Sequence, residues 1–182
     1  MSSWRSLRVA PREFSLFSTF SNGQCFCWRR VDSLTWCGVV DQFVYLLRQK
    51  PDDVEYRVLN SSTATATTAT TATTTEEERE ETTLRRFLQL ETNMEPLKHR
   101  WSSGHQKIHS DMGMILNSVE GMRVLRQDPF ECLFSFITSA NNNITRINHI
   151  LQYLRVQWGE HLLTTDESHE IVYNGMCLIF FY

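Results

Sequence analysis

Three consecutive asparagines, Asn141-Asn142-Asn143, stand between two stretches of apolar periodicity, and Arg146 follows within one helical turn. Asparagine is a poor helix-interior residue but a good cap, and it tolerates left-handed backbone. A cap on the following helix accounts for one asparagine, at Asn142 or Asn143, and leaves the others unexplained. A tight turn between helices would instead project amide side chains outward. Amides donate and accept, which suits the edge of a nucleic-acid base, and Arg146 adds a charged donor beside them. On the residues alone both readings stand, a plain helix cap and a nucleic-acid contact.

Other chemistries find less support. The five cysteines (Cys25, Cys27, Cys37, Cys132 and Cys177) form no CxxC pair, and no histidine pair at zinc-finger spacing completes a tetrahedral site. No metal and no cofactor are expected, and the thiols read as reduced residues of an intracellular protein. The net charge of −3 is carried largely by Glu76, Glu77, Glu78, Glu80 and Glu81, which share their block with one base, Arg79. Outside it the chain is close to neutral, so bulk charge neither favours nor excludes nucleic acid. No apolar run approaches the roughly 18 residues of a membrane span, and no membrane partner is expected. The first twelve residues are acid-free to Pro11-Arg12 and faintly resemble a mitochondrial presequence, although Trp4 onward already reads as part of the fold.

The elements that must position these residues fall into two halves. With 182 residues and 41% apolar content, the chain can bury one ordinary core or one core and part of a second. Phe14 to Phe20 alternates with a period of two and predicts a strand, followed by a turn at Ser21-Asn22-Gly23 and extended chain over Cys25–Trp28. Trp36–Val40 and Phe43–Leu47 flank Asp41-Gln42 as a hairpin, and Val54–Val58 follows the Pro51-Asp52-Asp53 turn. Residues 61–81, a Thr/Ala tract running into the glutamate block, predict a disordered insertion. Short helices are expected around Leu84–Leu88 and Leu97–Trp101, and a further stretch runs from Met112 to Leu125.

Asp128-Pro129-Phe130-Glu131 is a helix start, with Asp128 as cap, Pro129 in the first position and Glu131 placed to complete a capping box. Phe130, Leu133, Phe134 and Ile137 predict a buried stripe on that helix. Ile144, Ile147, Leu151 and Leu154 predict the stripe of the next.

The run from Val124 through Asp128-Pro129-Phe130-Glu131-Cys132-Leu133-Phe134-Ser135-Phe136-Ile137 to Asn141-Asn142-Asn143-Ile144-Thr145-Arg146-Ile147 closely resembles eukaryotic 8-oxoguanine DNA glycosylases. Gly23-Gln24-Cys25-Phe26-Cys27-Trp28, Trp36-Cys37-Gly38-Val39 and Arg86-Phe87-Leu88-Gln89-Leu90 agree in order and spacing, so the resemblance runs from about Trp4 to Gly175. It implies an α+β fold, in which an N-terminal antiparallel sheet domain with flanking helices (residues 1–134) precedes the first helices of an all-α helix-hairpin-helix glycosylase domain (135–175). Residues 176–182 form an apolar tail unlike the family.

The resemblance further implies base-excision repair, with a flipped 8-oxoguanine recognised opposite cytosine in double-stranded DNA by a monomeric nuclear enzyme, mitochondrial residence being the alternative. Gly23 would offer its carbonyl to N7–H of the lesion, with Gln24 beside it. Asn141 would fill the gap left by the extruded base and Arg146 would bind the estranged cytosine, while Asn142 and Asn143 hold the turn. The departures are equally specific. The family's lysine nucleophile and assisting aspartate follow a Gly-rich hairpin that has no counterpart here, the lysines being Lys50, Lys98 and Lys107 alone. This chain by itself is therefore expected to be an inactive, C-terminally truncated form. The alternatives are a non-catalytic DNA-binding or regulatory fragment, or a product without function. Cys27 also stands where the family commonly has arginine, which predicts weaker polar packing there.

Overall fold

A computed structural model describes residues 3–59, 75–103, 107–159, 161–165 and 170–173. Five strands form one antiparallel sheet: β1 (Arg5–Ser6), β2 (Trp28–Arg30), β3 (Thr35–Val40), β4 (Phe43–Gln49) and β5 (Val54–Val58), in the order β1-β5-β4-β3-β2. The hairpin expected around Asp41-Gln42 is present, with Val40 paired to Phe43 and Thr35 to Arg48. Asp41 takes φ 53°, the left-handed conformation that short polar residues accept most readily in a two-residue turn. Residues at the amino end are built into the sheet: Leu7 is fully buried, and Trp4 lies 4.2 Å under the Arg48 guanidinium.

One sheet face carries the main core. Trp36, Tyr45, Leu47 and Tyr56 meet Phe14, Leu16 and Phe20 from the amino-terminal segment and Leu84, Phe87 and Leu88 from a helix. Trp28 lies on Gly38 so closely that a Cβ there would overlap its ring, while the Trp28 ring stacks on Phe20 at 4.6 Å. The opposite face has a smaller cluster around Cys37 and Val44, to which Leu162 contributes.

Two local expectations are corrected. Phe14–Phe20 is no strand; Leu16–Phe20 forms helix α1, capped by Ser15, whose hydroxyl accepts the Ser18 N–H. Leu16, Thr19 and Phe20 are buried at helical spacing and Phe17 is exposed, so a five-residue segment satisfied both periodicities and packing decided between them. The glutamate block is likewise not disordered. Glu76–Phe87 is helix α2, opened by a reciprocal capping box between Thr75 and Glu78, with acids in its first turn and Arg85 and Arg86 in its last. Glu80 is buried against Arg5, and the Tyr45 hydroxyl donates to the Glu80 carbonyl at 2.8 Å. The Thr/Ala tract over 61–74 lies outside the described residues.

Helices α3 (Met94–Ser102), α4 (Lys107–Ser118), α5 (Pro129–Ser139) and α6 (Ile144–Trp158) follow, then a hairpin of β6 (His161–Thr165) and β7 (Glu170–Tyr173). Across this hairpin Thr164 pairs with Ile171, Leu163 with Val172 and Thr165 with Glu170, and four of the six are β-branched residues suited to strands.

The α5 stripe is also corrected. Phe130, Leu133 and Ile137 are exposed, and only Phe134 is half-buried, because among the described residues nothing covers that face. On α6, Ile147 and Leu151 are buried and Leu154 packs with them, but Ile144 is exposed.

Arg123 joins the pieces. Buried at 3% exposure, it donates from Nε to the Glu13 carbonyl (2.7 Å) and from Nη1 to the carbonyls of Gln89 (2.6 Å) and Thr92 (2.8 Å). Its Nη2 pairs with the Glu13 carboxylate at 2.9 Å, and that carboxylate also accepts the Met94 and Glu95 N–H groups at the start of α3. Removing the guanidinium strands several buried acceptors and one carboxylate. Arg123→Met is expected to lower unfolding free energy by about 3–5 kcal/mol. Substitution of exposed Arg126 by Met is expected to stay within about 0.5 kcal/mol, both read from urea denaturation midpoints.

Candidate nucleic-acid interface

Between α1 and β2 the chain turns through Ser21–Cys27. Gly23 sits at the bend with φ 79°, and a Cβ there would lie 3.2 Å from Ile144 Cδ1, at the first residue of α6. Asn22 fixes the bend, donating to the Ser18 carbonyl (3.1 Å) and accepting the Gln24 N–H (3.0 Å). The left-handed backbone is what favours glycine here; the near atom belongs to the end of the exposed Ile144 side chain.

Gln24 is occupied by structure. Its amide donates to the carbonyls of Thr19 (2.9 Å) and Arg123 (2.8 Å), and its side-chain oxygen accepts the Leu125 N–H at 3.2 Å. Gln127 closes the set by donating to the Gln24 carbonyl at 2.7 Å. Gln24 thus holds the Gly23 bend against the segment entering α5, and its side chain faces inward instead of toward a ligand.

Asp128 caps α5, accepting the Phe130 and Glu131 N–H groups at 2.9 and 3.1 Å, with Pro129 in the first turn. Glu131 does not reach back in a capping box. It pairs at 2.6 Å with Arg155 of α6, whose other guanidinium nitrogen donates to the Phe26 carbonyl at 3.0 Å. Arg155 is buried in the position one helical repeat beyond Ile147 and Leu151 and was not singled out from sequence, where Glu131 was read only as a capping-box acid. The available signal was an arginine in register with an apolar stripe, which needs a buried partner. Through Phe26 this clamp gives polar anchoring beside Cys27, where weaker packing was expected.

The asparagine corner divides its labour. Asn141 adopts φ 50° and is exposed. Asn142 donates to the Thr138 carbonyl at 3.0 Å and accepts the Asn143 N–H at 3.0 Å, which closes the end of α5. Asn143 caps α6 by accepting the Arg146 N–H at 2.9 Å. The Asn141 amide and the Arg146 guanidinium are exposed and make no hydrogen bond with the described residues. A cleft of about 580 Å³ opens between the Gly23–Trp28 segment and the α6 face bearing Asn148, His149 and Gln152.

Residues 6–133 match the family model of the 8-oxoguanine DNA glycosylase N-terminal domain. The chain belongs to this family. It is 32% identical over 171 residues to the N-glycosylase/DNA lyase OGG1 of Arabidopsis thaliana, covering 92% of this chain and 42% of that protein. It is 36% identical over 86 residues to an N-glycosylase/DNA lyase of Saccharomyces cerevisiae, covering 47% of this chain and 22% of that one. The chain therefore spans less than half the length of these curated relatives. Its fold also matches the Clostridium acetobutylicum 8-oxoguanine glycosylase/lyase solved with double-stranded DNA containing cytosine opposite 8-oxoG. There the TM-score is 0.73 at 25% identity, over 96% of this chain and 53% of that one. The sheet followed by helices is thus the family architecture.

Gly23→Ala is expected to cost about 1–2 kcal/mol from the left-handed backbone alone. Most of that loss should persist in an Ile144→Ala background, because relieving the contact leaves the φ strain in place. Thermal unfolding of the single and double variants checks this.

Proposed function

We propose that the chain is the lesion- and opposite-base-reading part of a base-excision repair DNA glycosylase acting on 8-oxoguanine opposite cytosine. The observation that carries this reading is the closeness of the Gly23 bend to the start of α6 at Ile144. Phe26, packed with Ile147 and Leu151 and bonded through its carbonyl to Arg155, joins these two segments, with Asn141 and Arg146 exposed beside them. The C. acetobutylicum neighbour, bound to duplex DNA with cytosine opposite 8-oxoG, supports the choice of ligand.

In this reading the duplex lies across the corner and the damaged nucleotide leaves the stack, at a cost of a few kcal/mol. Asn141 enters the vacated space; its left-handed backbone raises the amide at the tip of the corner. Arg146, one turn along α6, donates to the estranged cytosine. Gly23 presents its carbonyl to N7–H of the extruded base. Normal guanine offers a lone pair at N7, so the same approach would oppose two acceptors and discriminate by roughly 1–3 kcal/mol. Gln24, Asn142 and Asn143 position these groups without touching the ligand. The domain division is 1–134 for the sheet unit and 135–175 for the opening of the helical glycosylase unit, with Glu76–Glu81 reassigned to α2.

Within this reading the chain binds without cutting. A lysine nucleophile needs a depressed pKa in a formed pocket. Here Lys50 pairs with Glu55 at 3.8 Å and Lys98 donates to the Arg12 carbonyl at 2.8 Å, while the Lys107 side chain lies outside the described residues. The nucleus is the compartment this role proposes.

Gel shifts with duplex carrying 8-oxoguanine opposite cytosine, together with borohydride trapping, test the proposal. The full chain is expected to give a salt-dependent shift without a covalent adduct. Asn141→Ala and Arg146→Ala should each weaken binding by about tenfold, the worth of one good base contact. Unchanged affinity in both variants would remove the corner from the interface. A trapped adduct would overturn binding without chemistry.

A further inference from the structure

Cys25 and Cys27 flank Phe26 in the bend that follows Gly23. On a regular strand, residues two apart are about 6.6 Å apart along the chain and their side chains stand parallel. Here β2 begins only at Trp28, and the irregular backbone before it brings the two Sγ atoms to 3.1 Å. Both cysteines are free thiols. The pair is no fragment of a metal centre, since no cluster of three or more His, Cys, Asp or Glu side chains suited to a metal occurs among the described residues.

We infer that Cys25 and Cys27 are a modification site, a dithiol that closes to an intramolecular disulfide on exposure to a small peroxide. Closure needs an approach of about 1 Å to reach the roughly 2.05 Å bond. Access fits a small oxidant: both residues line the 580 Å³ cleft, Cys25 buried and Cys27 half-buried, so hydrogen peroxide can enter where a folded protein disulfide cannot.

Hydrogen bonding to Cys25, then burial, holds the Cys27 thiol well above the ordinary cysteine range, with the Glu131 charge adding to the effect and Arg155 opposing it. One of the two sulfurs attacks first, as its thiolate. It takes one peroxide oxygen as sulfenic acid, and the departing hydroxide is protonated to water. The second Sγ then displaces the sulfenic hydroxyl, which leaves with the second thiol's proton as a second water. Two thiols and one peroxide thus become one disulfide and two waters.

The consequence lies in Phe26, enclosed by the small ring so formed. Its carbonyl accepts from Arg155 and its side chain packs with Ile147 and Leu151, so the link acts on the contacts that seat α6. An effect on duplex binding rests on the function proposed above; disulfide formation does not.

The test uses the full chain with Cys37, Cys132 and Cys177 replaced by serine, its fold compared with the parent by circular dichroism. Brief peroxide treatment should lower the intact mass by about 2 Da, two hydrogens, with the loss confined to the peptide containing residues 25–27. Cys25→Ser or Cys27→Ser should abolish it. If the triple variant fails to fold, peptide mapping of the oxidised parent gives the same readout. A gain of about 16 Da or more without the 2 Da loss, signifying sulfenic or higher acids, or thiols that stay reduced, would overturn the inference. Gel shifts of the reduced and oxidised forms should differ. A reduced protein that binds no duplex would refute the proposed function and leave the mass result to decide on the disulfide.

Discussion

A single buried cation organises this chain. The Arg123 side chain gathers the Glu13 carboxylate and three carbonyls from segments up to 110 residues apart, while its own N–H donates to the Thr19 hydroxyl and its carbonyl accepts from Gln24. Burial pulls the guanidinium pKa down, and the Glu13 charge works against that pull. Such a group is tolerated only when its donors are matched, and a mismatch costs more than an ordinary packing defect. The amino-terminal helix, the Gly23 bend, the Gln89–Thr92 turn and the cap of α3 are consequently fixed relative to one another. The segment leaving Arg123 leads directly to Asp128 and the asparagine corner, so errors at Arg123 propagate to the surface that carries Asn141.

The corner itself follows a simple economy of polar groups. Helix ends leave N–H and carbonyl groups unmatched, and a tight connection between two helices must satisfy both sets within a few residues. Asn142 serves the end of α5 and Asn143 the start of α6. With the backbone satisfied locally, Asn141 is released from structural duty and its amide faces outward. The same division holds at the Gly23 bend, where Asn22 and Gln24 take the structural bonds. In both places the polar neighbours hold the geometry, and one residue is left at the tip.

Legibility in the sequence follows how local the cause is. The β3–β4 hairpin, the Asp128-Pro129 start and an asparagine cap on α6 depend on a few adjacent residues and were readable, the cap only as far as Asn142 or Asn143. The period-two alternation of Phe14–Phe20 was also local, but five residues satisfy two periods, and contact with the sheet chose helix. The glutamate block was unreadable for a different reason. Its apolar stripe begins only at Leu84, and its first turns are held by a capping box, by Arg5 on β1 and by the Tyr45 hydroxyl on β4. The resemblance placed Gln24 beside Gly23 without giving the direction of its side chain, which bonds to Thr19, Arg123 and Leu125. Arg155 was overlooked because its partners, Glu131 and Phe26, lie 24 and 129 residues away.

The α5–α6 unit is held far more lightly than the sheet. Among the described residues, the main core gathers about twenty buried side chains, whereas the cluster under α6 has Ile147 and Leu151 buried, with Phe26, Phe134 and Leu154 around them. Apolar burial stabilises in proportion to area, so this seat supplies only a small fraction of what holds the sheet. The Arg155 bonds to Glu131 and Phe26 therefore carry a disproportionate share of the unit's orientation. Regions with few buried contacts open locally at lower free energy than the core does. The surface bearing Asn141 and Arg146 thus rides on the least secured part of the fold, and the thiols of Cys25 and Cys27 lie on either side of the residue that secures it.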